Sequence, residues 1–66
     1  MWFIIHLHTI SGSCYSFRSK EPVTQEEMNQ SKETLESCID EGKGFFSDEK
    51  QCVFLRNVEA LIIEEV

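Results

Sequence analysis

Two histidines and three cysteines are the residues of this chain best suited to bind a metal or to act as nucleophiles. His6 and His8 are two residues apart, and in a β-strand this spacing puts both imidazoles on one side. Together with Cys14 they could hold a zinc ion, or a Cys/His pair could form an activated thiol. No motif supports either site, and Cys14, Cys38 and Cys52 lack the paired spacing of a metal or disulfide framework. We therefore predict no metal and no cofactor, and two partly exposed sheet histidines.

Carboxylates are more numerous and are concentrated in one stretch. The 66 residues carry 12 Asp and Glu against 6 Lys and Arg, a net charge of −6. Residues 24–41 alone hold six acids and one lysine, which gives −5. Paired carboxylates act as general acid and base in a cleft that shifts their pKa values, and a convex, outward-facing array offers no cleft. Because the sequence also has no phosphate-binding or hydrolase motif, we predict that the protein is not an enzyme.

The acidic stretch has the pattern of one amphipathic helix with defined ends. Thr24 followed by Glu27 predicts a capping box, Pro22 a sharp start and Gly42 a left-handed C-terminal cap. At about 100° per residue, the apolar face consists of Met28, Ser31, Leu35, Cys38 and Ile39. The acids aligned on the opposite side are Glu26, Glu33 and Asp40, flanked by Glu36 and Glu41. The helix is therefore predicted to present a row of carboxylates to solvent.

Strand-like segments lie on both sides of this helix. They are residues 2–9, 14–19, 45–47, 51–56 and 60–65, the last being a final short strand or a continuation of the fourth. The first two are predicted to form a hairpin whose turn contains Gly12. The order ββαββ, with a possible fifth short strand, predicts one α+β domain over residues 1–66, in which a single helix packs on a small antiparallel sheet.

One face of that sheet must remain uncovered, because a single helix covers only the other. The uncovered face is predicted to carry Trp2, Ile4 and either Phe46 or Phe54. Exposed apolar patches commonly mark interaction surfaces, and a chain of this length buries only about 60% of its unfolded surface. We therefore expect self-association through Trp2 and Ile4 to give a homodimer. The alternative is a monomer whose loops fold over this face.

Cysteine content and charge narrow the compartment and the class of partner. An odd number of cysteines without a disulfide framework predicts a reducing, cytoplasmic location. The apolar N-terminus lacks a basic region and is interrupted by His6 and His8, so it predicts neither a signal peptide nor a membrane span. A net charge of −6 disfavours direct binding to nucleic acid or to an anionic membrane, because both are polyanions. Basic proteins are the partners that this charge favours.

A very short acidic chain with this order, no enzyme motif and unpaired cysteines resembles the small host-takeover proteins of lytic bacteriophages, and among them the acidic DNA mimics. Such mimics block the histone-like nucleoid protein HU, uracil-DNA glycosylase or RNA polymerase. The residues that carry the resemblance are Glu26, Glu33, Glu36, Asp40, Glu41, Glu64 and Glu65. The resemblance is one of layout and charge. It implies an inhibitor in the host bacterial cytoplasm whose carboxylates stand in for DNA phosphates.

The first hypothesis is that the acidic helix face binds a basic host DNA-binding protein and excludes DNA from it. An HU-like nucleoid protein is the first choice, and RNA polymerase or a DNA-repair enzyme is the next. The basic residues must then lie away from the binding face: Arg18, Lys20, Lys43, Lys50 and Arg56. The second hypothesis is a structural or assembly module, in which the uncovered sheet face self-associates and the acids only keep the protein soluble.

Overall fold

A computed structural model describes all 66 residues and contains one helix and five strands. The elements are β1 (Phe3–Thr9), β2 (Cys14–Arg18), α1 (Gln25–Glu41), β3 (Phe45–Ser47), β4 (Cys52–Phe54) and β5 (Val58–Glu65). The predicted α+β class and ββαββ order are confirmed. The fifth strand is the longest, at eight residues, because a short 3₁₀ turn over Leu55–Asn57 ends β4 early and the chain extends again from Val58.

The strands divide between two antiparallel sheets. β1 lies at the centre of a three-stranded sheet with the order β2-β1-β5, and β3 pairs only with β4 in a two-stranded ribbon. In the larger sheet, Ile5 is opposite Phe17 on one side and Ile63 on the other. Since directly opposite residues share a face, this register collects apolar side chains on the inner face.

The core forms where the helix and the ribbon cover that inner face. Its buried members are Leu7, Phe17, Leu35, Val53, Leu55 and Val58, so almost every element contributes one residue. α1 contributes only Leu35, and its neighbours Cys38 and Ile39 are half-buried against the cluster. A core of this size is typical of a small domain with a modest free energy of unfolding.

Both ends of α1 are fixed by local contacts, as the sequence predicts. The Thr24 hydroxyl accepts the amide of Glu27 at 3.1 Å, and the Glu27 carboxylate accepts the amide of Thr24 at 3.3 Å. At the other end Gly42 has φ of 69°, its amide donates to Ile39 O, and the Lys43 amide donates to Cys38 O. This is the hydrogen-bond pattern of a Schellman motif.

The second face of the three-stranded sheet is uncovered. Ile4, His6 and His8 are half-buried there, and Trp2 remains 39% exposed. The prediction that Phe46 or Phe54 shares this face is wrong. Phe46 packs on the core with its ring 4.6 Å from that of Phe17, and Phe54 lies on the outer side of the ribbon opposite Phe45. The reason is that β3 and β4 form a separate ribbon instead of extending the sheet.

Candidate functional site

The carboxylates of α1 are exposed, as predicted. All five predicted binding residues of the helix are solvent-accessible: Glu26, Glu33, Glu36, Asp40 and Glu41. The ion pair within the helix joins Glu36 to Lys32 at 3.7 Å between Oε1 and Nζ. The pair lies at the surface, where such contacts contribute little. Most of these carboxylates are therefore not neutralised by a cation of the helix.

The carboxylates at the two ends of α1 differ in their relation to the helix dipole. Glu26 lies in the first turn, where the positive end of the dipole stabilises a carboxylate. Asp40 and Glu41 lie in the last turn, which contains no basic residue. Carboxylates there face the negative end of the dipole, and Asp40 also follows Glu36 by four residues, a like-charge spacing that destabilises helices. Helix stability therefore does not account for these two acids.

One flank of α1 faces β5. Gln25, Asn29 and Lys32 line a depression together with Leu61 and Glu65. On a helical wheel of about 100° per residue, four of the exposed carboxylates lie toward this same flank: Glu26, Glu33, Glu36 and Asp40. Glu65 at the end of β5 therefore extends the acidic surface.

The remaining two predicted binding residues do not join this surface. Glu41 points to the opposite flank of the helix, with Thr34, by the same wheel. Glu64 is opposite Ile4 in the β1–β5 pairing, and its carboxylate bonds to His6 on the uncovered face. The seven carboxylates that carried the sequence prediction therefore occupy more than one surface. We use the name "acidic row" for the four on the β5 flank of the helix: Glu26, Glu33, Glu36 and Asp40.

The five basic residues outside the helix fall into three groups. Arg18 is on the uncovered face, opposite Ile4. Lys20 and Lys50 lie with Asp48 and Glu49 at the turn of the ribbon, where Lys20 contacts Glu49 at 3.6 Å. The other two, Lys43 and Arg56, lie next to Gly42 at the C-terminal end of α1. A partner bound along the row would meet these two cations only near its Asp40 end.

The flank of α1 that faces the ribbon is an open groove of about 570 Å³. Gln30, Thr34 and Cys38 line it from the helix, and Phe45 and Phe46 line it from β3. Phe45 and Phe54, opposite each other on the ribbon, are 61% and 51% exposed. The Arg56 guanidinium lies 5.4 Å from the Phe54 ring centre. Sequence analysis missed this aromatic pair because the pairing of β3 with β4 alone is not visible in a short strand pattern.

The uncovered sheet face contains a chain of hydrogen bonds centred on His6. Its Nδ1 is 2.8 Å from Ser16 Oγ and its Nε2 is 3.0 Å from Glu64 Oε2. With His6 neutral, Nε2–H donates to the carboxylate and the serine hydroxyl donates to Nδ1. Beside it, His8 Nε2 lies 3.8 Å from Cys14 Sγ.

Ser16, His6 and Glu64 have the order of a serine–histidine–acid triad. None of the three residues lines any of five depressions of the surface, so none of these depressions would hold a substrate beside them. We therefore assign these contacts to cross-strand pairing within the sheet. No group of three or more His, Cys, Asp or Glu side chains is arranged to hold a metal ion.

One carboxyl group has a clearly shifted pKa, and it lies outside the acidic row. The Asp48 side chain accepts the amides of Lys50 at 2.8 Å and Gln51 at 2.9 Å in the turn between β3 and β4. The amide of Lys50, followed by contacts from Gln51, lowers the pKa of Asp48 below its ordinary value of 3.8. The shift accompanies hydrogen bonds that stabilise a turn and does not indicate catalysis, because the carboxylate is exposed and not held in a cleft.

No helix has the length and apolar character needed to cross a bilayer. Comparison of the chain with protein families, with characterised proteins and with solved structures gives no match.

Proposed function

We propose that the protein is a non-enzymatic inhibitor that binds the basic surface of a host DNA-binding protein through the acidic row of α1. The observation that carries this proposal is the position of Asp40, a member of the acidic row, in a last turn that it shares with Glu41 and that contains no basic residue. Acids at that position cost helix stability, by about 0.3–1 kcal/mol each at the surface. Their presence is readily explained if the negative charge serves binding, and solubility alone could be served by acids at neutral positions.

The charge density of the row sets the expected strength of the mimicry. Glu26 and Asp40 are fourteen residues apart, so the four carboxylates extend over about 21 Å. The mean spacing between neighbouring charges is about 7 Å, whereas duplex DNA carries one charge per about 1.7 Å of its axis. A single row therefore competes best with weakly held DNA. An abundant nucleoid protein of the HU type, which binds DNA largely without regard to sequence, is the target that we propose first, in the bacterial cytoplasm.

The proposal is tested by competition. A purified HU-like nucleoid protein is bound to a fluorescent DNA duplex, and this protein is added while anisotropy reports the displaced DNA. In the test variant, Glu33→Gln, Glu36→Gln and Asp40→Asn remove three charges from the row. Exposed ion pairs contribute about 0.2–1 kcal/mol each, so inhibition should weaken by about 3- to 150-fold.

The matched control removes three charges elsewhere, through Glu21→Gln, Glu49→Gln and Glu59→Gln. These residues are exposed and lie outside α1, so the control has the same net charge as the test variant. It should inhibit nearly as well as the unmodified protein. Equal weakening in both variants would show that net charge alone is responsible and would refute the row as a binding site. Failure of the unmodified protein to displace DNA from HU-like, polymerase and glycosylase targets would refute the function.

A further inference from the structure

The uncovered sheet face has a regular arrangement of charges across its three strands. One row of directly opposite residues is Arg18 on β2, Ile4 on β1 and Glu64 on β5. A cation and an anion thus occupy the two edges of the sheet at the same level along the strands. Arg18 has no ion-pair partner within the chain, since the three ion pairs involve His6, Lys20 and Lys32.

We propose that this face is the interface of a homodimer whose twofold axis runs parallel to β1. Rotation about such an axis keeps the level along the strands and exchanges the two edges. Arg18 then lies over Glu64 of the partner subunit, and the same pair forms a second time by symmetry. Ile4 on the central strand packs on Ile4 of the partner subunit. Because Arg18 and Glu64 of one subunit are complementary in charge to Glu64 and Arg18 of another, the occupant of this face is a second copy of this chain.

A different symmetry axis would not use these charges. A twofold axis running across the strands keeps each edge strand over the same strand of the partner subunit, so Arg18 would lie over β2 and not over β5. The outward residues of β2 are Cys14, Ser16 and Arg18, and none is an acid that could receive the guanidinium. The axis parallel to β1 is thus the arrangement in which both charges of each subunit are paired.

Side-chain sizes also suit this arrangement. The next row is Ser16, His6 and Ile62, and exchange of the edges brings the exposed Ile62 over the small Ser16 of the partner subunit. The apolar side chains of Trp2, Ile4 and Ile62 are then removed from water, and polar side chains lie between them in the interface. Because α1 packs on the opposite face of the sheet, the acidic row remains exposed in the dimer.

The size of the face predicts a weak dimer. Three strands about 4.8 Å apart and about 23 Å long give a footprint of roughly 300 Å² per subunit. A standard stable interface buries about 800 Å² per partner. We therefore expect reversible dimerisation with a dissociation constant in the micromolar range, which two reciprocal charge pairs hold in one orientation.

Sedimentation equilibrium over about 1 µM to 1 mM tests the proposal. Arg18→Glu and Glu64→Arg each put like charges together twice, so each should raise the dimer dissociation constant at least about tenfold. The double variant Arg18→Glu/Glu64→Arg restores opposite charges and should return the constant to within about threefold of the original. Lys43→Glu, at the C-terminal end of α1, and Glu49→Arg, at the turn of the ribbon, make the same charge changes at exposed positions outside the face and should leave it unchanged.

A second measurement reports the axis without reversing any charge. In a Cys14→Ser/Cys52→Ser background, which removes both exposed native thiols, Ile4→Cys places a thiol on the axis and Ile62→Cys places one near an edge. Sheets packed face to face are about 10 Å apart, too far for a disulfide but within reach of a short bis-maleimide. The cysteine at position 4 should give a covalent dimer efficiently, and the one at position 62 should give much less.

A monomer over the whole concentration range would overturn the proposal. So would a dimer that is insensitive to both charge reversals, or equal cross-linking at positions 4 and 62. Since none of these measurements involves the acidic row, their failure would leave the inhibitor proposal standing, and the competition experiment can fail while the dimer is observed.

Discussion

At the scale of single residues, Asp48 is the position whose electrostatics affect stability most clearly. Its folded-state pKa is lowered because the carboxylate accepts the amides of Lys50 and Gln51. A carboxyl group whose pKa is lower in the folded state stabilises the fold above its unfolded pKa of about 3.8, and this contribution is lost as the pH falls through the lowered value. The turn of the ribbon should therefore loosen in acid.

We predict that Asp48→Asn reduces this acid sensitivity. The amide oxygen of Asn can still accept hydrogen bonds from the turn, but it does not titrate. Urea unfolding at neutral pH should show the variant to be less stable than the unmodified protein. The difference should shrink at a pH below 3.8, because the Asp48 contribution is then lost. Glu49→Gln, in the same turn, is the control and should leave the pH dependence in place. A constant difference at all pH values would contradict the assignment.

Phe45 and Phe46 are adjacent in sequence and have opposite environments. Phe46 packs edge-on against Phe17 with 4.6 Å between ring centres, and Phe45 is 61% exposed. We predict that Phe46→Ala lowers the free energy of unfolding by about 2–3 kcal/mol and that Phe45→Ala lowers it by less than about 1 kcal/mol. Urea unfolding monitored at Trp2 measures both. A larger loss of stability for Phe45→Ala than for Phe46→Ala would mean that Phe45, and not Phe46, faces the core.

At the scale of elements, the helix could be predicted almost completely and the ribbon only in part. Thr24, Glu27 and Gly42 determine the ends of α1 through contacts within a few residues, so the sequence contains all the information required. The strand-like alternation of residues 51–56 indicated that Val53 and Leu55 share one face, and both are buried. Which strands pair with each other depends on contacts distant in sequence. The prediction for Phe46 was wrong for that reason.

The ends of α1 allow stability and binding to be separated. We predict that Asp40→Lys raises the free energy of unfolding by about 0.3–1 kcal/mol, since it replaces an unfavourable charge at the negative end of the helix dipole. The same change should weaken binding to a basic target. Glu26→Lys, at the positive end, should lower stability by a similar amount and also weaken binding. Thermal unfolding measures the change in stability, and the DNA competition assay measures the change in binding. Unchanged inhibition by the Asp40→Lys variant would contradict the proposed site.

At the scale of the whole molecule, the distribution of carboxylates was the part that sequence could not provide. The helical period placed the acidic row correctly on an exposed surface. The sides on which Glu64 and Glu65 lie depend on the register of β5 against β1, and a shift of one residue would exchange them. The bond from Glu64 to His6 belongs to that register as well. Long-range pairing thus decides which acids can act together.

The salt dependence of inhibition distinguishes binding through the carboxylates of the acidic row from apolar binding at the exposed aromatic residues of the ribbon. The Debye length falls from about 14 Å to about 6 Å between 0.05 and 0.3 M salt, which weakens attraction between exposed charges. Inhibition by the unmodified protein should therefore decline steeply over this range. The variant with Glu33→Gln, Glu36→Gln and Asp40→Asn should show a shallower decline, and the control with Glu21→Gln, Glu49→Gln and Glu59→Gln should retain most of the original slope. If all three proteins share one slope, the row does not contact the target. If the unmodified protein shows no slope, binding is apolar, and Phe45→Ala and Phe54→Ala become the variants that should abolish it.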